Sequence, residues 1–102
     1  MTYAKGTKVS VAKSETELKA LLRKHGATAM IAGEDTEQGR AFVAFKMGGH
    51  QVRLEVPLPE LADYATTEAG RHRDATAQRK AWEQACCERW RSVVLLAKAK
   101  LE

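Results

Sequence analysis

Two runs of alternating apolar residues meet at a pair of glycines, and this constrains the chain more than any other feature. Before Gly48-Gly49, Ala41, Val43, Phe45 and Met47 alternate with Phe42, Ala44 and Lys46. After it, Val52, Leu54, Val56 and Leu58 alternate with Gln51, Arg53, Glu55 and Pro57. A period of two places each apolar set on one face of a strand, and paired glycines accept the positive φ of a primed hairpin turn. A lone hairpin with one apolar face is marginal in water, so other elements must cover that face. Pro57 cannot donate to a ladder, so the second strand ends at an edge or is already leaving the sheet.

The covering elements are helices. Ser14-Glu15-Thr16-Glu17 has the form of a capping box, followed by Leu18, Leu21 and Leu22 at helical spacing and by Gly26 as the stop. A second helix is expected from Asp74 to the end, about 75–102. Trp82, Ala85, Cys86, Trp90, Val93, Leu96 and Ala97 share one face of it, with Gln84, Glu88, Arg91 and Glu102 opposite. Arg89 falls on the apolar face and Leu95 on the polar one. Lys8 to Val11 alternates as a short strand, and Ala27 to Gly33, with Met30 and Ile31, reads as another before the polar turn Glu34 to Gly39. Residues 59–74 have no clear period and read as a loop.

The expected order is therefore β-α-β-β-β-α. It describes one α+β domain over 1–102, an antiparallel sheet of three to four strands covered on one face by two helices. Val9, Val11, Leu18, Leu22, Val43, Phe45, Val52, Leu54 and Val56 should form its core. With 102 residues the chain supports one such core and not two.

The net charge is +4, and it is unevenly placed. Nine Lys/Arg and nine Asp/Glu cancel over residues 1–69, whereas eight basic residues face four acidic ones over 70–102. A basic C-terminal third favours an acidic partner, either nucleic acid or an acidic protein face. The competing reading is a solvated helix face. Arg71, Arg73, Arg79, Lys80, Arg91 and Lys98 are the candidate binding residues.

Nothing in the sequence assembles catalytic or metal chemistry. His25, His50 and His72 are dispersed, and Cys86 and Cys87 point to different sides of a helix, whereas zinc needs paired ligand spacings. Glu34, Asp35 and Glu37 lack calcium-loop spacing and read as solvated turn charge. There is no phosphate loop and no nucleophile elbow. No cofactor, metal or catalytic residue is expected. Trp82 and Trp90 could stack bases, but they fall on the face that must cover the sheet, which favours core packing. Phe42 is the better candidate for an exposed aromatic. Adjacent cysteines seldom pair, no apolar run is long enough to span a membrane, and Met1 to Gly6 lacks the apolar stretch of a secretory signal. These features point to a reducing cytoplasm.

Lys8 to Ser14 with His25-Gly26-Ala27-Thr28 form one familiar stretch. Val52 to Pro59, Lys80 to Cys86, Arg89-Trp90-Arg91 and Lys98 to Glu102 form another. Together they resemble a group of short, uncharacterised accessory proteins encoded by bacteriophages and prophages. The likeness leaves out the Glu34 turn and the 59–74 loop, and it carries no site residue over. It implies a small protein of the bacterial host cytoplasm that binds and inhibits a host protein complex, for example an antiviral defence system such as CRISPR. The alternative is direct nucleic-acid binding in phage DNA metabolism through the basic C-terminal third. Arg89 either snorkels past Trp82 and Trp90 to water, pairs with a carboxylate such as Glu55, or marks an interface, in which case self-association with Arg91 and Leu95 would make a homodimer. The expected order also contains the α-β-β-β-α order of a double-stranded RNA-binding domain, whose spacing and lysine pattern are not evident here.

Overall fold

A computed structural model describes residues 4–35 and 37–102. What was expected of Met1 to Tyr3, and of Thr36 in the polar turn, lies outside the described residues. The elements are α1 (Val11–Lys24), β1 (Thr28–Asp35), β2 (Arg40–Met47), β3 (His50–Pro57), a 3₁₀ turn at Leu61–Tyr64, and α2 (Ala75–Leu101). The fold is α+β, with one antiparallel sheet in the order β1-β2-β3. The order begins with a helix. The strand expected at Lys8 to Val11 is absent, because Ser10 caps α1 by accepting from the Lys13 N–H at 3.1 Å and Val11 is already helical. Four residues of alternation are too few to outweigh a capped helix start.

The capping-box pattern one turn later therefore has a different role. Ser14 lies inside the helix, fully buried, and its Oγ has no hydrogen-bond partner among the described residues. Its neighbour Glu17 turns to α2 instead of reaching back. At the other end the helix stops as its sequence indicates. Gly26 takes φ +98°, its N–H donates to the Arg23 carbonyl, and the Ala27 N–H donates to that of Leu22 at 2.9 Å. These are the two bonds of a Schellman motif, and Ala27 and Leu22 join the core together.

In the sheet, β2 pairs in full register with β3 from Arg40↔Pro57 to Met47↔His50, closed by Gly48 and Gly49, both at positive φ. β1 pairs with β2 on its other side, with an irregularity between Thr28 and Ile31 where Ala29 takes φ +51°. This bulge brings Met30 and Ala32 to the core side and leaves Ile31 outside, 62% exposed. On the outer face Phe42 is half-buried rather than open. The Arg53 guanidinium lies 4.2 Å from its ring centroid, and Gly33 opposite leaves room for it, since a Cβ there would stand 2.9 Å from the ring.

The inner face is closed by Leu18 and Leu22 of α1 and by Trp90 and Val94 of α2, packed on Ala41, Val43, Phe45 and Val56. The buried stripe of α2 runs Cys86, Trp90, Val94, and Ala97 and Leu101 continue it. Its phase differs from that expected. Leu96 is 59% exposed, and Leu95, expected on the polar side, is half-buried. Val11 and Val52 flank the core half-buried, and Val9 is half-buried in the segment leading to Ser10. Leu54 departs further from expectation. It points to the helix side but lies on an edge strand that α2 meets near Pro57, and it is 38% exposed.

Truncation at the centre and at the edge of the sheet should therefore differ in denaturant unfolding. Val43→Ala is expected to cost about 2–4 kcal/mol, and Leu54→Ala under ~1.5 kcal/mol. The two serines should have opposite signs. Ser10→Ala loses a cap and costs about 1 kcal/mol, whereas Ser14→Ala removes a buried unpaired hydroxyl and gains roughly 1 kcal/mol. Loss of stability in Ser14→Ala would contradict the helix start at Ser10.

Candidate functional site

Pro57 and Pro59 have no N–H, so the chain leaving β3 is rich in carbonyls that lack a ladder partner. α2 supplies the donors. Arg89 Nη1 donates to the Pro57 carbonyl at 2.7 Å, Trp82 Nε1 to that of Pro59 at 2.7 Å, and Gln78 Nε2 to that of Leu61 at 2.9 Å. The Leu58 N–H donates to the Gly39 carbonyl at 2.9 Å, which ties the same segment to the β1–β2 turn. Arg89 thus reaches a backbone carbonyl, the intramolecular alternative to an interface residue. On a neighbouring side of α2, Gln84 Nε2 donates to the Thr7 carbonyl and Glu88 accepts from the Gly6 N–H, holding the N-terminal segment.

Three of the six cations expected to bind a partner are engaged within the fold. Arg91 and Lys98 both pair with Glu17 of α1, Lys98 at 3.0 Å, and the Arg91 side chain is only 17% exposed. They bridge the helices. Arg73 donates to the Tyr64 and Thr66 carbonyls at 3.2 and 3.0 Å, and Thr66 bridges His72. The 59–74 segment is thus folded around Arg73. Arg71 is exposed in this segment. Lys80 is exposed, and Arg79 is exposed with its guanidinium 5.8 Å from the Trp82 ring centroid, near the outer limit of cation–π attraction. Arg71, Arg79 and Lys80 make no side-chain ion pair among the described residues.

The carbonyl contacts shape a cleft of about 690 Å³ between the β1–β2 turn, residues 58–61 and the first half of α2. Its apolar lining includes Val11, Leu58, Pro59, Leu61, Trp82 and Cys86. Its polar lining includes Glu34, Glu37, Glu60 and Glu83, and among the described residues no lysine or arginine lines it. None of these four glutamates makes an ion pair among the described residues. Burial pushes the Cys86 thiol up, and the charge of Glu34 adds to that. The protonated thiol is a weak nucleophile. Cys86 and Cys87 are both free. His25 stands 3.4 Å from Glu102, which Lys24 also pairs, and among the described residues no group of three or more His, Cys, Asp or Glu is placed to hold a metal ion.

The turn charge of Glu34 and Glu37 and the indole of Trp82 were each visible in the sequence, but not their convergence. The signal that could have suggested it is Pro57-x-Pro59. Two missing donors two residues apart announce carbonyls that must be met from elsewhere. The chain matches no protein-family model, and no curated protein or solved structure matches it. No helix is long and apolar enough to cross a membrane among the described residues.

The helix bridge predicts an acid-sensitive contribution to stability. Hydrogen bonds from Arg91 and then Lys98 hold the Glu17 carboxyl below its ordinary value of 4.5. A lowered folded-state value means the contribution is whole above 4.5 and is lost as pH falls through the lower value. Glu17→Gln should cost roughly 0.5–1 kcal/mol at neutral pH. The cost should shrink as pH is taken from neutral to acid, below 4.5 and through the lower folded-state value, until wild type and variant unfold at the same denaturant concentration. An equal cost at both ends of that range would show that the bridge is not electrostatic.

Proposed function

We propose that the chain is a non-catalytic binding domain of a phage-type accessory protein, acting in the bacterial cytoplasm by docking on a host protein complex such as an antiviral defence assembly. The observation that supports this most is the cleft beside Trp82, concave and largely apolar, with glutamates and, among the described residues, no cation in its lining. Apolar concavities with few polar groups are the usual form of a recognition site, and this one would repel phosphate.

Direct nucleic-acid binding is the second reading, and the α-β-β-β-α order is that of a double-stranded RNA-binding domain. Topology alone does not carry a function. Here the turn between β1 and β2 carries Glu34, Asp35 and Glu37 rather than cations. With Arg91, Lys98 and Arg73 engaged within the fold, Arg71, Arg79 and Lys80 remain, and three neutralised phosphates give a salt slope of only about 2.7.

Gel shifts of the full chain on duplex DNA, single-stranded DNA and double-stranded RNA at low salt, beside a pull-down from bacterial lysate, separate the two. The expected result is no nucleic-acid shift below micromolar protein, with capture of a host complex that Leu61→Glu abolishes and Arg79→Ala/Lys80→Ala preserves. Sub-micromolar, salt-sensitive binding to nucleic acid that Arg79→Ala/Lys80→Ala removes would reverse the reading.

A further inference from the structure

The charge of the cleft is opposite in sign to that of the protein. The chain carries +4 overall, yet Glu34, Glu37, Glu60 and Glu83 converge on one concavity without a cation among its described lining residues. Elsewhere on the fold some carboxylates are matched, while others such as Glu15, Asp63 and Glu68 make no ion pair among the described residues. Glu17 holds Arg91 and Lys98, Glu55 holds Arg40, and Glu102 holds Lys24. Arg79 and Lys80, one turn away on α2, face a separate shallow depression with Ala75, Thr76 and Glu83. Four like charges around an apolar floor raise one another's energy, and a cationic guest would relieve that. The floor would at the same time bury an apolar side chain of the guest.

We infer that the cleft receives a basic amphipathic peptide segment of a partner protein, in which an aliphatic or aromatic side chain seats against Trp82, Leu58 and Leu61 and flanking Arg or Lys side chains meet the four glutamates. This rests on the cleft being the binding surface, as proposed above, and adds the chemistry of the occupant. Size favours a peptide over a small cation. A volume of about 690 Å³ lies within the range that buries several groups at once, and a polyamine offers the apolar floor only short methylene linkers. Trp82 is held by its bond to the Pro59 carbonyl, so the indole face is presented in a fixed orientation at little further entropic cost.

The test uses the full chain and tryptophan-free synthetic peptides of about a dozen residues, long enough to span a groove of this kind. One peptide alternates Lys/Arg with Leu, a second replaces each cation by Gln, and a third replaces each by Glu. Spermidine is the small-cation control. Binding is read from the indole N–H signals of Trp82 and Trp90 in two-dimensional NMR, assigned with Trp82→Phe. The basic peptide is expected to shift the Trp82 signal with a Kd at least about tenfold below that of the Gln peptide, and the Glu peptide to give no shift. Glu60→Gln/Glu83→Gln, with its unfolding midpoint checked, should weaken the basic peptide about three- to tenfold. Leu61→Ala should weaken the basic and Gln peptides alike. Equal affinity for the basic and Gln peptides would overturn the charge inference while leaving the cleft a protein-binding surface. A shift by spermidine matching that of the peptide would assign the site to small cations and overturn the inference. Absence of any shift at Trp82 with all ligands would overturn both this inference and the cleft as the docking surface.

Discussion

The fold depends on α2 satisfying backbone carbonyls that the sheet cannot. After β3, prolines at 57 and 59 remove two donors, so this strand cannot recruit a fourth strand through those positions and its carbonyls need partners. Arg89, Trp82 and Gln78 provide them at 57, 59 and 61, stepping back along the helix as the chain steps forward. The same helix holds the N-terminal segment through Gln84 and Glu88 and α1 through Arg91 and Lys98. Apolar packing from Cys86 to Val94 fixes which way α2 faces. The polar bonds fix where everything else lies against it.

This division explains what could be read from the sequence. The hairpin at Gly48-Gly49, the stop at Gly26, the cap at Asp74 and the sheet face from Val43 to Val56 follow from local chemistry, and each is where the pattern places it. The start of α1 was misread because two serines four residues apart both had a helical continuation, and Ser10 lacks the Glu three residues on that marks a capping box. Leu54 was misread because alternation reports which side of a strand a residue faces, not whether a helix reaches that far across an edge. The engagement of basic residues within the fold was the larger omission. Counting charges along 70–102 could not show that Glu17, far away in sequence, lies beside Arg91 and Lys98. Nor could it show that the guanidinium of Arg73 closes its own loop.

The cleft was illegible for the same reason. Its carboxylates come from a β-turn, the post-β3 segment and a helix, and each looks solvated on its own. Only their convergence beside Trp82 makes them unusual, because a basic protein then carries a large concavity with the opposite charge. Separation of charge of this kind orients an approaching partner before contact, and it weakens with salt. The cleft and the depression beside Arg79 and Lys80 thus differ in the charge of their linings.

Because α2 grips residues 57–61 through their carbonyl oxygens, the path of that segment is indifferent to most of its side chains. Glu60 and Leu61, both exposed, can change identity without removing a hydrogen bond that holds them in place, whereas Leu58 also packs against the core. One wall of the cleft is thus a fixed rail with exchangeable fittings. Selection for a new partner could rewrite its chemistry at those positions at little expense to the fold.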